Sequence, residues 1–249
     1  MAGRIAYYGN IVKDGLILNL DAAKVDSYPG SGTAWNDISG FQTNGTLTNG
    51  PTFNSANGGS IVFDGVNDHA ALANGTFGYS PGTTGELTLE MWIYPTGPFT
   101  SYVAEPPTTN LGGIFGQSYF DNSLGWGIGM VRTSGVNYFA FQVRNFGTVA
   151  QPAFNSAISF VTGSWYHVVG SFTRNNFSRL YINGQLASSG SSTALNNVSI
   201  TPNNNNAAIG RAGNFYTGCQ IPSARLYNKP LTQAEVLQNY NATKGRYGL

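Results

Sequence analysis

Two carboxylates offer the first chemistry to consider. Glu86 and Glu90 stand four residues apart in Glu86-Leu87-Thr88-Leu89-Glu90, and paired carboxylates can cleave a glycosidic bond, one as nucleophile or base and the other as acid. A retaining mechanism needs them about 5 Å apart, whereas residues four apart on a strand have Cα atoms roughly 13 Å apart, so the side chains would have to converge. Thr88 between them brings no charge to split their protonation states. Glu86 also follows the turn-forming Pro81-Gly82-Thr83-Thr84-Gly85, where a solvated strand start is the simpler role. Nucleophilic catalysis has less to stand on. His69 and His167 are the only histidines, neither lies in His-Glu-x-x-His, and no Gly-x-Ser-x-Gly elbow or Gly-x-Gly-x-x-Gly phosphate loop sits between a strand and a helix. His167 alternates with Trp165 and Val169, which suits a hydrogen-bonded structural histidine.

Binding chemistry has more candidates. A calcium ion seeks several carboxylate, amide and carbonyl oxygens, and Asp64, Asn67 and Asp68 are the best local cluster, with Asp21 as a distant addition. The same short polar side chains also suit a tight connection in which they bond nearby backbone. A sugar site needs an aromatic platform flanked by amide or charged groups. Strand parity puts Glu90, Trp92 and Tyr94 together, and Tyr138, Gln142 and Arg144 together on another strand; paired on one sheet face, the six would form a polar aromatic groove. The competing expectation is that Trp92 packs beneath a covering segment such as Phe99 to Thr109. Trp35 and Trp165 read as core or loop anchors.

The elements that must position these residues are mostly strands. Short alternating runs recur with Gly, Asn, Pro and Ser between them, and helical periodicity is almost absent. In the clearest run, Leu87 to Tyr94, the residues Leu87, Leu89, Met91 and Ile93 share one face, and Pro95 is expected to end it. Comparable runs are Gly15 to Leu20, Ser60 to Phe63, Gly125 to Val131, Asn137 to Arg144, Trp165 to Thr173, Ser178 to Ile182, Ala207 to Gly210 and Gln220 to Tyr227. Asn183-Gly184 predicts a type I′ hairpin from Arg179 to Leu186, because both turn positions need positive φ. Only Pro230 to Tyr240 reads as a helix, with Thr232 as N-cap, Glu235 as its reciprocal partner, and Val236, Leu237 and Tyr240 on the apolar side. The expected fold is all-β, a two-sheet antiparallel jelly-roll sandwich with one short C-terminal helix. Residues 1–14 are expected to form a leader or docking arm and residues 15–249 one domain.

Composition narrows the partners. Only 9% of the 249 residues are charged and the formal net charge is +1, so there is no electrostatic case for nucleic acid or an anionic membrane surface. With 41% apolar and 13% aromatic residues the chain can still fill a core. No apolar run approaches the ~20 residues of a membrane span, and the N-terminal MAGRIAYYGNIVKDG lacks the apolar centre of a signal peptide, so synthesis in the cytoplasm is expected. Cys219 is alone, which excludes an internal disulfide and suits a packed core thiol.

Several segments in order carry a resemblance. Gly15-Leu16-Ile17-Leu18-Asn19-Leu20-Asp21-Ala22, Trp35-Asn36-Asp37-Ile38-Ser39-Gly40, Phe63-Asp64-Gly65-Val66-Asn67-Asp68, Leu87 to Pro95, Trp165-Tyr166-His167-Val168-Val169, Leu180 to Gly184 and Ala224 to Thr232 together make the chain similar to laminin-G-like, or concanavalin A-like, jelly-roll domains from Gly15 to about Tyr247. The resemblance implies two curved sheets, a face that often binds glycans, and in some members one calcium ion. Acidic residues that the family often carries after the penultimate strand are replaced here by Gln220-Ile221-Pro222-Ser223. Glucanases of this fold carry Glu-x-Asp-x-Glu, and here Thr88 stands where the Asp would be. The variant also looks like domains of tailed-bacteriophage virion proteins. That resemblance implies a non-enzymatic capsid decoration or fibre-type protein, located on the virion, with some affinity for glycans. Its partners would be other virion proteins at the capsid or fibre base, and copies of itself joined through an exposed sandwich edge. The alternatives are a glycoside hydrolase using Glu86 and Glu90, and a soluble lectin.

Overall fold

The computed structural model describes residues 10–72, 80–99, 110–117, 125–133, 135–145, 148–150, 159–200, 207–212 and 214–249. The first strands are β1 (Leu16–Asp21), β2 (Ala34–Trp35), β3 (Gly45–Thr48), β4 (Thr52–Asn54), β5 (Ser60–Asp64), β6 (His69–Leu72) and β7 (Leu87–Phe99). They are followed by β8 (Asn110–Gly116), β9 (Gly125–Thr133), β10 (Val136–Asn145), β11 (Thr148–Ala150), β12 (Ser159–Phe160) and β13 (Tyr166–Phe172). The chain then forms β14 (Phe177–Ile182), β15 (Gln185–Ser191), β16 (Ala208–Ile209), β17 (Arg211–Ala212) and β18 (Phe215–Tyr227). Helix α1 (Gln233–Thr243) and a 3₁₀ turn, Lys244–Tyr247, close it.

Pairing builds a sandwich of two sheets. In the first the order is β15-β14-β13-β7-β18, with β1 and then β5-β4 lying along successive parts of the far side of β18. In the second it is β2-β3-β6-β16-β8-β9-β10, with β11 and β12 both on β10. The core lies between them, because the alternation places Leu87, Leu89, Met91 and Ile93 of β7 against Phe139, Phe141 and Val143 of β10 and Trp126 and Ile128 of β9. Phe141 is 1% exposed, a burial that stabilises by roughly 1.5–3 kcal/mol. Its ring presses on the opposite sheet so closely that a Cβ at Gly170 would stand 2.3 Å from it, so position 170 admits only glycine.

Most predicted strands match within a residue or two, and the hairpin turn has φ of 50° at Asn183 and 77° at Gly184. Two strand boundaries are corrected, the first being β18, which begins at Phe215 and not at Gln220. β7 does not stop at Pro95 but runs on to Phe99 beside β18, whose register shifts between Gln220 and Ser223 and again between Thr217 and Cys219. Pro95 sits between these irregularities, where the ladder is already interrupted and a missing N–H is least disruptive, and its carbonyl accepts from Gly163 N at 2.9 Å. The Phe99 to Thr109 segment and the Asn203 to Asn206 tract lie, beyond Phe99 itself, outside the described residues. Cys219 is wholly buried in the core, and burial pushes its thiol well above the usual range.

Helix α1 starts where the capping box predicts. The Thr232 side chain accepts from Glu235 N, while Glu235 accepts from Thr232 N at 2.8 Å. Its buried stripe is Val236, Asn239 and Thr243, which turns two polar side chains inward. Residues 10–14 lie against this helix: Val12 is buried, its N–H donates to Asn239 Oδ1 at 2.8 Å, and Gln238 donates to the Asn10 carbonyl at 2.7 Å. Residues 1–9 of the expected arm lie outside the described residues.

Candidate functional site

Register assembles a polar row across the outer face of the first sheet. Asn19 of β1 stands opposite Arg225 of β18, Arg225 opposite Glu90 of β7, Glu90 opposite Val169 of β13, and Val169 opposite Tyr181 of β14. Arg225 therefore meets both neighbours, donating from Nε to Asn19 Oδ1 at 3.2 Å and from Nη1 to Glu90 Oε1 at 2.5 Å. Asn239 of α1 donates to the other oxygen of Glu90 and to the Tyr227 hydroxyl, and His167 Nε2 lies 3.3 Å from Glu90 Oε1.

Glu90, His167 and Trp92 are all 0% exposed. Burial by itself would raise the Glu90 carboxyl, but the Arg225 guanidinium, His167 and Asn239 outweigh it and hold the group down to about 2. Such a carboxylate is a fixed anion sealed behind a helix. It has no access to a substrate and no tendency to carry the proton that a catalytic acid must give. Glu86 is half-buried at the start of the strand and accepts from Arg174 N at 3.0 Å, while the Arg174 guanidinium ties Gly82 to Val198. The two glutamates therefore anchor separate parts of the scaffold and do not flank a cleft.

The expected six-residue groove is also corrected. Glu90, Trp92 and Tyr94 project from the outer face of the first sheet, whereas Tyr138, Gln142 and Arg144 project from the outer face of the second, so the two sets sit on opposite sides of the molecule. Trp92 is covered, though by the C-terminal elements and not by the Phe99 to Thr109 segment. Its ring stacks on Tyr240 at 5.8 Å and packs on Tyr247 at 4.2 Å, and its Nε1 donates to Thr243 Oγ1 at 2.8 Å. Trp165 joins the same cluster between Tyr94 and Tyr247, while Trp35 lies in the core. Glu90 and Trp92 are thus not sugar contacts, and Tyr94 is half-buried against Trp165.

On the second sheet the geometry differs. Opposite Ala140, Gln142 and Arg144 stand Gly129, Gly127 and Gly125 of β9, so no side chain rises beside them on that strand. Tyr138 and Arg144 are half-exposed at the two ends of this row, and Gln142 between them is buried. Val131, Ala140, Ala212 and Phe215 close its middle as a small apolar cluster.

The calcium candidates form a turn between β5 and β6. Asp64 Oδ1 accepts from the backbone N–H groups of Val66, Asn67 and Asp68 at 2.8, 3.3 and 3.3 Å, and Asp68 Oδ2 accepts from Asp64 N at 3.2 Å. Those N–H groups outweigh the rise that burial would cause and hold the Asp64 carboxyl below its usual range. Asp21 is committed elsewhere, in a two-point ion pair with Arg246 at 2.8 and 2.9 Å. Among the described residues no group of three His, Cys, Asp or Glu side chains converges as a metal would require.

A two-sheet sandwich with a glycine-lined outer face and a sealed ionic row defines the class, and comparison gives the family. Residues 63–237 match the model of the laminin-G type described as the concanavalin A-like lectin/glucanases superfamily, and the chain belongs to it. Among solved structures it is similar to domain 4 of AbnA, an extracellular arabinanase of Geobacillus stearothermophilus, in complex with arabinotriose. The TM-score is 0.62 and the identity 17%, covering 90% of this chain and 98% of that domain. It is also similar to the receptor-binding domain of a botulinum neurotoxin C/D mosaic, with TM-score 0.65 and 17% identity over 92% of this chain and 51% of that one. The binding domain of Paraclostridial Mosquitocidal Protein 1 gives 0.63 and 18% over 92% and 52%. The chain thus spans about half the length of these toxin domains. No curated protein matches its sequence.

Sequence reasoning missed Arg225, Asn239 and Arg246. Asn239 had a signal, since it falls three residues after Val236 on the helix stripe that packs inward. Arg225 and Arg246 had none, because their partners lie 135 and 225 residues away in the chain.

Proposed function

We propose that this protein is a non-catalytic glycan-binding domain carried on a virion, as a capsid decoration or fibre-type component. The observation that carries the first half is the burial of Glu90. The strand that bears acids in the glucanase branch of this superfamily here turns its carboxylate into a sealed ion pair with Arg225. What remains for a sugar on the outer face of the second sheet is its two partly exposed ends, Tyr138 and Arg144, on either side of a buried glycine track. Support comes from the AbnA domain, which covers the same fold nearly end to end and is described with a trisaccharide. The virion half is supported by the resemblance to phage proteins and by a polar surface that relies on uncharged side chains, with 9% charged residues.

A glycan array with the full chain tests the first half: binding that falls about tenfold or more in Tyr138→Ala, with no reducing sugar released from β-glucans, is expected. Release of reducing sugar that Glu90→Gln abolishes would overturn it. Copurification with particles, lost on deletion of residues 1–9, is expected for the second half; a chain absent from purified particles overturns it.

A further inference from the structure

A pocket of about 360 Å³ between β14 and the start of α1 contains Arg179 but no other cation, whereas a second pocket of about 320 Å³ gathers four. The second is lined by Lys13, Lys24, Arg225 and Arg246, from the N-terminal segment, the turn after β1, β18 and the final 3₁₀ turn. The whole chain has only 12 Lys and Arg and a net charge of +1, so a third of its cations meet in one small cavity.

Nearby anions cancel two of the four. Asp21, itself in the pocket wall, pairs with Arg246, and Glu90 pairs with Arg225, which leaves the charge of Lys13 and Lys24. Asp37, next in the chain to the pocket residue Ile38, accepts from the N–H groups of Asn19, Ser39 and Thr43 and the Ser39 hydroxyl. Among the described residues, Lys13 and Lys24 have no ion-pair partner.

We infer that this pocket binds the carboxylate of an acidic sugar, with Lys13 and Lys24 at the rim and Asn19 and the Arg225 guanidinium at the floor. The inference rests on the glycan-binding reading and adds to it a second place and a charge. The volume is at the small end of ligand sites and fits one sugar unit, not an extended chain. Ile11, Ile38 and Ala242 give the ring an apolar wall, while the lysines supply charge-assisted hydrogen bonds to the acid.

The test titrates the full chain with glucuronate, with glucose, which differs only in lacking the acid, and with acetate as the bare carboxylate. Glucuronate is expected to bind about tenfold or more tightly than either, to weaken with added salt, and to lose about tenfold in the double variant Lys13→Gln/Lys24→Gln. Both lysines are exposed, and unchanged thermal unfolding of the variant confirms that only the site is altered. Equal binding of glucuronate and glucose, equal binding of acetate, or glucuronate binding indifferent to the double variant overturns the inference. Neutral oligosaccharides that bind and depend on Tyr138, with no binding of glucuronate, would sink this pocket and leave the glycan reading standing. Glucuronate lost in the double variant, with Tyr138→Ala without effect, would keep the pocket and remove the other face.

Discussion

The outer faces of the two sheets begin from the same pattern and end differently. On β7, Thr88, Glu90 and Trp92 alternate with core residues, as Tyr138, Gln142 and Arg144 do on β10. The first set is wholly buried, because α1 and the 3₁₀ turn lie across it and add a second apolar layer of Val12, Leu16, Val169, Tyr181, Tyr227, Leu231 and Val236. The second set keeps Tyr138 and Arg144 partly open. Period-two alternation thus tells which side chains leave the core, and the path of the remaining chain decides whether they reach water.

Breaking the buried row gives the largest effect. Glu90→Ala leaves Arg225 and Asn239 without their shared acceptor and is expected to cost roughly 3–5 kcal/mol, since an uncompensated charge stays buried. Tyr138→Ala on the other sheet is expected to cost about 1 kcal/mol or less. Urea unfolding of both variants checks the contrast; similar losses would mean that the two faces are equally structural.

How much of this was legible follows from which forces are local. The strands, the Asn183-Gly184 turn and the capping box of Thr232 and Glu235 were readable because alternation, positive φ and N-cap hydrogen bonds act within a few residues. The site was not. Trp92 looked like a platform because nothing near it in sequence says that Tyr240 and Tyr247, about 150 residues later, will cover it. Asp64, Asn67 and Asp68 carried two compatible readings, and the backbone N–H groups that choose the turn exist only once β5 and β6 are in place.

Acid sharpens the comparison at an intermediate size. The folded Glu90 carboxyl lies near 2 against an ordinary 4.5, so its contribution is fully present above about pH 5 and is lost as pH falls from there toward 2. Melting temperature of the wild type is expected to drop across that window, and Glu90→Gln, which removes the titrating group, is expected to flatten the drop. A variant with the same acid slope as the wild type would show that other carboxylates govern it, with Asp64 and Glu235, both held below their usual range, next in line.

The smallest effect separates the cover from what it covers. Thr232→Ala removes the side-chain acceptor for Glu235 N and is expected to cost about 1 kcal/mol by loosening the first turn of α1 alone. The ring cluster of Trp92, Tyr240 and Tyr247 sits at the far end of the helix, so its near-ultraviolet circular dichroism should survive that change. If it were lost, the helix would be docked from its N-terminus, and the seal over Glu90 would depend on the cap and not on the aromatic stack.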